Sequence, residues 1–247
     1  MIEHTSVWLP LGVALIALVY SLVGHGGASG YLALLAMTTL LPRDIAITAL
    51  LINLVVAGTS FALYKLAHHF SWRLAWPLLA GSVPLAFVGA RLPVADTVYY
   101  WLVGGVLLVA GVRLFWSAPG AVATEPSPLP GVAVRVGTGA GIGLLSGLVG
   151  VGGGIFLSPV LLLMRWATAK QTAAVSAIFI VANSLAGLAG RLQTGGQIQA
   201  GTLILVAAGF AGALAGSYVG AFAIGQRALQ RGLAVVLVFA AVKLMVR

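Results

Sequence analysis

Two glycine-rich stretches are the parts of this chain whose residue types and spacing suit ligand binding. Residues 21–37 read SLVGHGGASGYLALLAM, and residues 147–163 read GLVGVGGGIFLSPVLLL. Glycine costs about 0.8–1 kcal/mol relative to alanine inside a helix, so both runs are predicted to unwind the backbone. Aligned without a gap, the stretches match five residues of the first, Leu22, Val23, Gly24, Gly26 and Gly27, with Leu148, Val149, Gly150, Gly152 and Gly153.

An unwound stretch between two half-helices is suited to an anion. Discontinuous helices in transporters point their N-termini, which carry partial positive charge, at anionic substrates. The alternative is that small residues only let helices approach closely, and packing alone does not require adjacent glycines. We therefore expect a binding role for the two clusters and a packing role for the separate glycines Gly81, Gly89, Gly212, Gly216 and Gly220.

Polar side chains near these stretches complete the predicted site. His25 is the one ionisable residue inside a predicted break, and its imidazole could take up a proton together with an anion. The alternative is a neutral histidine bonded to unwound carbonyls. Pro159 is compatible with the first turn of a restarting helix, or with an ordinary kink. The predicted substrate-binding residues are Gly24, His25, Gly26, Gly27, Ser29, Asn53, Gly150, Gly152, Gly153, Gly154, Ser158, Pro159, Thr172, Ser176 and Asn183.

Each half of the chain also places an asparagine inside an apolar helix. Asn53 shares a helical face with Ser60, and Asn183 shares one with Thr172 and Ser176. Such stripes line a polar path or form hydrogen bonds between helices, and both alternatives stay open.

The elements that must position these residues are membrane helices. Of 247 residues, 61% are hydrophobic and 7% charged, whereas soluble domains are about 25% charged. The N-terminus lacks the basic region of a signal peptide, so the first segment is expected to remain in the mature protein. With no cysteine, disulfides and thiolate sites are excluded. Eight apolar segments are predicted, near residues 8–40, 45–64, 74–91, 98–116, 131–164, 171–190, 201–223 and 229–246.

The two overlong segments, 8–40 and 131–164, leave the topology open. If each crosses once, the 13 basic residues divide almost evenly between the two sides, and the halves run parallel. If each returns as a hairpin, the halves are inverted and the positive-inside rule is met with a mild bias. The hairpin alternative is favoured, with eight basic residues on the cytoplasmic side: Lys65, Arg73, Arg113, Arg135, Arg165, Lys170, Arg227 and Arg231.

A stretch rich in proline, alanine and serine, residues 117–131, divides the chain near its midpoint. The predicted fold is therefore all-α: a polytopic helical membrane protein with about seven or eight transmembrane segments. It has two homologous repeats with broken or re-entrant first helices, residues 1–116 and 132–247, joined by this linker.

Charge favours an anion as the cargo. The four acidic residues, Glu3, Asp44, Asp96 and Glu125, are predicted in termini or loops, although membrane cation sites use carboxylates. No metal or cofactor motif is present, and no catalytic set supports an enzyme. His68 and His69 fit an interfacial belt, and Arg91 and Arg191 are expected mainly to reach the interface. The net charge of +9 is scattered, so nucleic acid is not expected as a partner.

The second stretch, extended to GLLSGLVGVGGGIFLSPVLLLM (residues 143–164), resembles the signature of the TauE/SafE sulfite exporter family. SLVGHGGASGYLALLAM resembles its weaker counterpart, although His25 stands where an apolar residue is more usual and Ala28 replaces a third glycine. The resemblance implies a bacterial plasma-membrane transporter with two repeats, acting on small sulfur oxyanions and organosulfur anions.

The sequence therefore predicts a secondary transporter that exports a small sulfur-containing oxyanion across the bacterial inner membrane, with proton coupling through His25 as a further hypothesis. The expected partners are the anion, protons and the lipid bilayer, with no cofactor. An oligomer is compatible with the sequence, but nothing in it indicates one. A passive anion channel is the main alternative, and a membrane-embedded enzyme is a weaker one.

Overall fold

A computed structural model of the chain describes residues 7–92 except 36, 39 and 41, and residues 127–225 except 196. Beyond these it describes 227–229, 231, 232, 234, 235 and 238. The predicted segment 98–116, linker residues 117–126 and most of segment 229–246 lie outside the described residues. The described part is helical, with α1 (Trp8–Ser21), α2 (Ala28–Leu35), α3 (Pro42–Leu66), α4 (Trp72–Arg91), α5 (Val132–Val149), α6 (Gly154–Leu163), α7 (Ala169–Gln193), α8 (Thr202–Tyr218) and a π-helical turn (Val219–Ala223).

Five helices in this part of the chain are long and apolar enough to cross a membrane. They are Asp44–Leu66, Trp72–Arg91, Val132–Val149, Ala169–Gln193 and Thr202–Ala223, while α1 and α6 are shorter apolar helices. Large apolar side chains such as Leu203 and Leu15 are exposed on their outer faces, where lipid would cover them. The prediction of a polytopic helical membrane protein is confirmed.

Both glycine stretches interrupt the helical structure, as predicted. The first break, residues 22–27, separates α1 from α2, and the second, residues 150–153, separates α5 from α6. Gly150 ends α5 with φ +79° and Gly153 precedes α6 with φ +81°. L-residues rarely adopt these left-handed values, so glycine is needed where the chain leaves one helix and enters the next.

The first overlong segment turns back on itself at its break. Gly12, near the start of α1, lies against Leu34 near the end of α2, and Gly30 of α2 lies against Ile16 of α1. Residue numbers rise on one helix as they fall on the other, so α2 runs antiparallel beside α1. This is the arrangement that the hairpin alternative expects for the first segment.

Two pairs of helices, α4 with α5 and α1 with α8, pack in parallel through glycines. In α5, three glycines spaced four apart lie against carbonyls of α4: Gly139 on Leu78, Gly143 on Ser82 and Gly147 on Ala86. In α8 and the following turn, Gly212, Gly216 and Gly220 lie against the carbonyls of Ala14, Leu18 and Leu22. A side chain at any of these glycines would meet backbone, so the packing role predicted for the separate glycines is confirmed.

Helices α3 and α7 cross at the centre of the molecule and run antiparallel. Leu50 of α3 lies against Gly187 of α7, and Asn53 is bonded to Ser184. These two helices have the most buried spans of the five. Several of the site residues described below, among them Asn53, Ser176 and Ile180, lie on these two helices.

Most of the described basic residues gather at one end of the bundle, called here the basic end. It contains the loop between α3 and α4 and the starts of α5 and α7, where the Arg135 Nη1 donates to the Arg73 carbonyl oxygen at 2.6 Å. The Lys170 Nζ donates to the Ala221 carbonyl oxygen at 3.0 Å. The hairpin alternative predicts the same grouping for Lys65, Arg73, Arg135, Arg165 and Lys170.

The prediction that Asp44 lies in a loop is wrong. Asp44 lies in the first turn of α3, only 5% exposed, because the loop between α7 and α8 covers it. Its carboxylate accepts hydrogen bonds from the Gln197 backbone N–H (3.1 Å) and the Gln199 Nε2 (3.0 Å). Asp44 anchors this loop at the end of the bundle opposite the basic end, about 13 Å along α3 from Asn53.

Candidate substrate site

The two glycine breaks meet at the side chain of Asn53. Gly26 of the first break and Gly152 of the second each lie so close to the Asn53 amide that a Cβ at either would collide with it. The Asn53 Nδ2 donates to the Ser184 hydroxyl at 3.1 Å. The Asn53 Oδ1 is buried without a hydrogen-bond partner among the described residues. One amide therefore joins α3, α7 and both breaks.

Beside this crossing is a small cavity, with room for about one water molecule. Its lining comes from the end of α1, both breaks and the starts of α2 and α6, with Ile180 of α7 as one wall. The first N–H groups of a helix have no intrahelical partner and carry partial positive charge. Two half-helix N-termini therefore open on one cavity, whose lining residues are Tyr20, His25, Gly26, Gly27, Ala28, Ser29, Val151, Ile155 and Ile180.

His25 connects this cavity to α6 and α7 through a chain of hydrogen bonds. Its Nδ1 lies 3.1 Å from the Val23 carbonyl oxygen, which can only accept, so these contacts assign the ring proton to Nδ1. The Nε2 then accepts from the Ser158 hydroxyl at 3.1 Å, and Ser158 lies 2.9 Å from the Ser176 hydroxyl. His25 is 2% exposed. This assignment gives a neutral imidazole bonded to an unwound carbonyl, whereas a protonated ring would bond to the same groups, so both alternatives for His25 stay open.

Four more of the predicted residues lie in or beside the breaks and contact their neighbours closely. The Ser29 hydroxyl lies 3.0 Å from the Tyr20 hydroxyl. Gly24 lies against the backbone of α7, Gly27 against Tyr31, and Gly154 against Ile180. The three glycines therefore let the breaks pack closely against their neighbours, because a side chain at any of the three would collide with a neighbouring group.

Thr172 and Asn183 of α7 are buried but are not joined to the cavity by any described contact. Neither amide atom of Asn183 nor the hydroxyl of Thr172 has a hydrogen-bond partner in the described part of the chain. Buried polar atoms without partners are rare and costly, so these side chains are available to a ligand or a water molecule. Their place in the site stays a prediction.

The first-turn position predicted for Pro159 is wrong. Helix α6 begins at Gly154, immediately after the break, so Pro159 lies in its second turn. There proline removes one intrahelical donor, which leaves the alternative of an ordinary kink. Glycine at 153 and 154 already provides the restart, and no proline is needed for it.

Several important contacts were not expected from the sequence. Tyr20 and Ser184 bond to predicted site residues, and the Tyr64 hydroxyl donates to the Leu22 carbonyl oxygen. Arg191, which was expected mainly to reach the interface, also bonds within the protein: its Nη2 donates to the carbonyl oxygens of Gly147 (3.0 Å) and Leu148 (3.1 Å). In the sequence, Tyr64 shares a helical face with Asn53 and Ser60. This periodicity is the signal that could have identified Tyr64 as a residue near the site.

Comparison with known proteins identifies the family. Residues 9–244 match the description "Sulfite exporter TauE/SafE". A relative from Sinorhizobium fredii (strain NBRC 101917 / NGR234), "Probable membrane transporter protein y4hK", is 36% identical over 222 residues, which are 87% of this chain and 90% of the relative. No solved structure gives a significant match. Together with the apolar helices, these matches describe a multi-pass protein of the bacterial inner membrane, and the chain belongs to the TauE/SafE sulfite exporter family of membrane transporters.

Proposed function

We propose that the chain is a secondary transporter that exports a small sulfur-containing oxyanion, such as sulfite or a sulfonate, and binds it where the two breaks meet at Asn53. The observation that carries the proposal is the cavity onto which the N-termini of α2 and α6 both open. Anions bind readily at helix N-termini, because free N–H groups and the helix dipole both favour negative charge.

The chemistry of the lining supports an oxyanion over a cation. The polar groups of the lining are backbone at the starts of α2 and α6 and the hydroxyls of Tyr20 and Ser29, which lie 3.0 Å apart. None of the lining residues is acidic, and the buried carboxylate of Asp44 is bonded to a loop at one end of the bundle. A cation in this cavity would meet partial positive charge on two sides.

The proposal requires the site to open. An oxyanion of four or more heavy atoms does not fit a space for about one water molecule, so the described state is closed around the site. We propose that residues 1–116 and 132–247 are inverted repeats that rock around it. Under the predicted alignment, α3 corresponds to α7, and these helices run antiparallel.

Proton coupling is proposed through His25. In the described state Ser158 donates to the His25 Nε2. A proton on Nε2 would turn that atom into a donor, so the Ser158 hydroxyl would have to rotate and accept instead. The same proton would place a positive charge in the lining of the anion cavity. Binding of an anion and of a proton would therefore each favour the other.

The proposal is tested with purified protein in liposomes. The protein should move labelled sulfite or a sulfonate faster than protein-free liposomes, with saturation and with a dependence on the pH gradient. The same anions should raise its melting temperature in detergent, because a ligand of the folded state stabilises it. Failure with a broad anion panel in both assays would refute the oxyanion assignment, and flux without saturation would indicate a channel.

A further inference from the structure

A related contact is made at the first residue of the first break and shortly before the second break. The Leu22 carbonyl oxygen, just after α1, accepts from the Tyr64 hydroxyl, and the Leu148 carbonyl oxygen, near the end of α5, accepts from the Arg191 Nη2 at 3.1 Å. Leu22 and Leu148 occupy the same position when the two glycine stretches are aligned without a gap. The last carbonyls of a helix have no intrahelical partner, so each side chain binds a group that the break leaves free.

The two donors occupy corresponding places but opposite ends of the molecule. Tyr64 lies in the last turn of α3, and Arg191 lies in the last turn of α7. Because α3 and α7 run antiparallel through the Asn53–Ser184 contact, Tyr64 lies about 16 Å from that contact toward the basic end. Arg191 lies about 10 Å from it toward the opposite end. One donor therefore lies on each side of the candidate site.

We propose that Tyr64 and Arg191 are two clasps, which close the site toward the basic end and toward the opposite end, respectively. Each clasp ties the helix end before one break to the long helix of the same half. Release of the Tyr64 clasp frees the end of α1 and opens the basic side, while release of the Arg191 clasp frees the end of α5 and opens the other side. Both are positioning residues, and the inference depends on the proposed site at the crossing of the breaks.

The surroundings of each clasp fit this role. Tyr64 is fully buried, and Gly220 of the π-helical turn packs against both its hydroxyl and the Leu22 carbonyl. The Arg191 guanidinium lies over Gly150, where a Cβ would come within 3.2 Å of its Nη2. A side chain at Gly220 would collide with both the Tyr64 hydroxyl and the Leu22 carbonyl, and one at Gly150 would press on the Arg191 guanidinium. Glycine at these positions therefore serves the clasp contact as well as the turn of the chain.

The test measures from which side the cavity can be reached. The chain has no cysteine, so an Ala28→Cys substitution places one thiol in the cavity lining. Membrane-impermeant thiol reagent is applied to right-side-out and to inside-out vesicles. A separate protein with the single substitution Leu66→Cys serves as a marker. Leu66 is exposed at the end of α3, so its labelling shows on which side of the membrane the basic end lies.

The two clasps should give opposite results. Tyr64→Phe removes only the hydroxyl, and we expect it to raise the labelling rate at position 28 from the basic end about fivefold, with no change from the other side. Arg191→Met should raise labelling about fivefold from the opposite end only. A fivefold change corresponds to about 1 kcal/mol in the closing equilibrium.

Two substitutions that leave the clasps intact serve as controls. Arg91 is at the same end as Arg191 but lies over the Phe87 ring, with 5.4 Å from its Cζ to the ring centroid, and Tyr218 is an exposed tyrosine near the basic end. Arg91→Met and Tyr218→Phe should label like the parent protein. Labelling uses no substrate, so a wrong assignment of the anion leaves this result unchanged.

Three outcomes would overturn the clasp proposal. They are an unchanged labelling rate in both variants, a faster labelling rate from the same side in both variants, and equal increases in the labelling rate from both sides. If Arg191→Met does not fold, Arg191→Gln is labelled in its place with the same expectation. Failure of both to fold would also count against the proposal, because a contact that must break in every transport cycle cannot be indispensable to folding.

Discussion

Gly152→Ala tests whether the two breaks are packed as tightly on Asn53 as the structure indicates. Gly152 has φ +75°, and a Cβ there would lie 2.5 Å from the Asn53 Nδ2 and 2.9 Å from the Ile180 Cγ2. A left-handed backbone costs an alanine about 1–2 kcal/mol. Displacing the Asn53 amide from Ser184 costs a further 0.6–1.7 kcal/mol or so, as for other hydrogen bonds between membrane helices.

We therefore expect Gly152→Ala to destabilise the protein by about 2–4 kcal/mol, on those two costs. For a chain of this size, 1 kcal/mol lowers the melting temperature by about 2–4 °C, so the expected drop is roughly 5–15 °C. The measurement is a thermal melt of the purified protein in detergent, followed by its intrinsic fluorescence.

Gly58→Ala is the matched control. Gly58 lies in the same central helix as Asn53, and no heavy atom comes within 4 Å of a Cβ built on it. Alanine is the better helix former, so this change should be neutral or stabilise by up to about 1 kcal/mol. If the two variants melt at the same temperature, the close approach described at Gly152 is wrong.

A double-mutant cycle separates collision from backbone strain. Asn53→Ala removes the amide that a Cβ at position 152 would strike, while the cost of the positive φ remains. We expect the double variant to be at least about 1 kcal/mol more stable than the two single effects predict, as residues in direct contact couple. Strict additivity would refute the explanation, even if Gly152→Ala is unstable.

Three further predictions follow from the same contacts. His25→Gln should flatten the dependence of transport on pH, and transport that keeps its full pH dependence would remove His25 from coupling. Burial lowers the pKa of His69, which lies in the loop between α3 and α4 outside the membrane spans, and the charge of Lys170 lowers it further. The folded state therefore favours the neutral imidazole. The protein loses stability as the pH falls through and below the usual pKa of histidine. His69→Asn should therefore narrow the difference in melting temperature between about pH 7.5 and 5.5. Gly143→Ala should separate α5 from the Ser82 carbonyl and lower the melting temperature by several degrees, while Gly141→Ala on the open face of α5 should not.

The parts of the fold that depend on local chemistry were predictable from the sequence. Clustered glycines stop a helix wherever they occur, so the breaks at Gly24–Gly27 and Gly150–Gly154 could be located without tertiary information. Asn53 was recognised in the same way, as a polar residue inside an apolar helix. The position of Asn53 between the two breaks could not be predicted, because it depends on which helices contact each other in the fold.

The predictions that failed concern residues whose role is set by distant parts of the chain. Asp44 was expected in a loop, but a loop from the second half covers it and uses both carboxylate oxygens. The hydrogen bonds of Arg191 to carbonyls at the end of α5 were likewise not predicted. The type of a residue determines which groups its side chain can bond. Which of these groups is its partner depends on the packing of helices that are far apart in the sequence.

The pairing of α1 with α8 has a consequence for how the protein is made. Val13 and Ala17 of α1 are fully buried in the finished protein, yet α8 leaves the ribosome only after most of the chain. At ordinary rates of synthesis that delay is roughly 10–40 s, during which lipid or an insertion factor must cover the face that α8 later takes. Helix α4 likewise packs against α5 only after the predicted linker and α5 have been synthesised. Neither half can complete its packing alone, so a gene cut at the linker should give an active protein only when both pieces are made in the same cell.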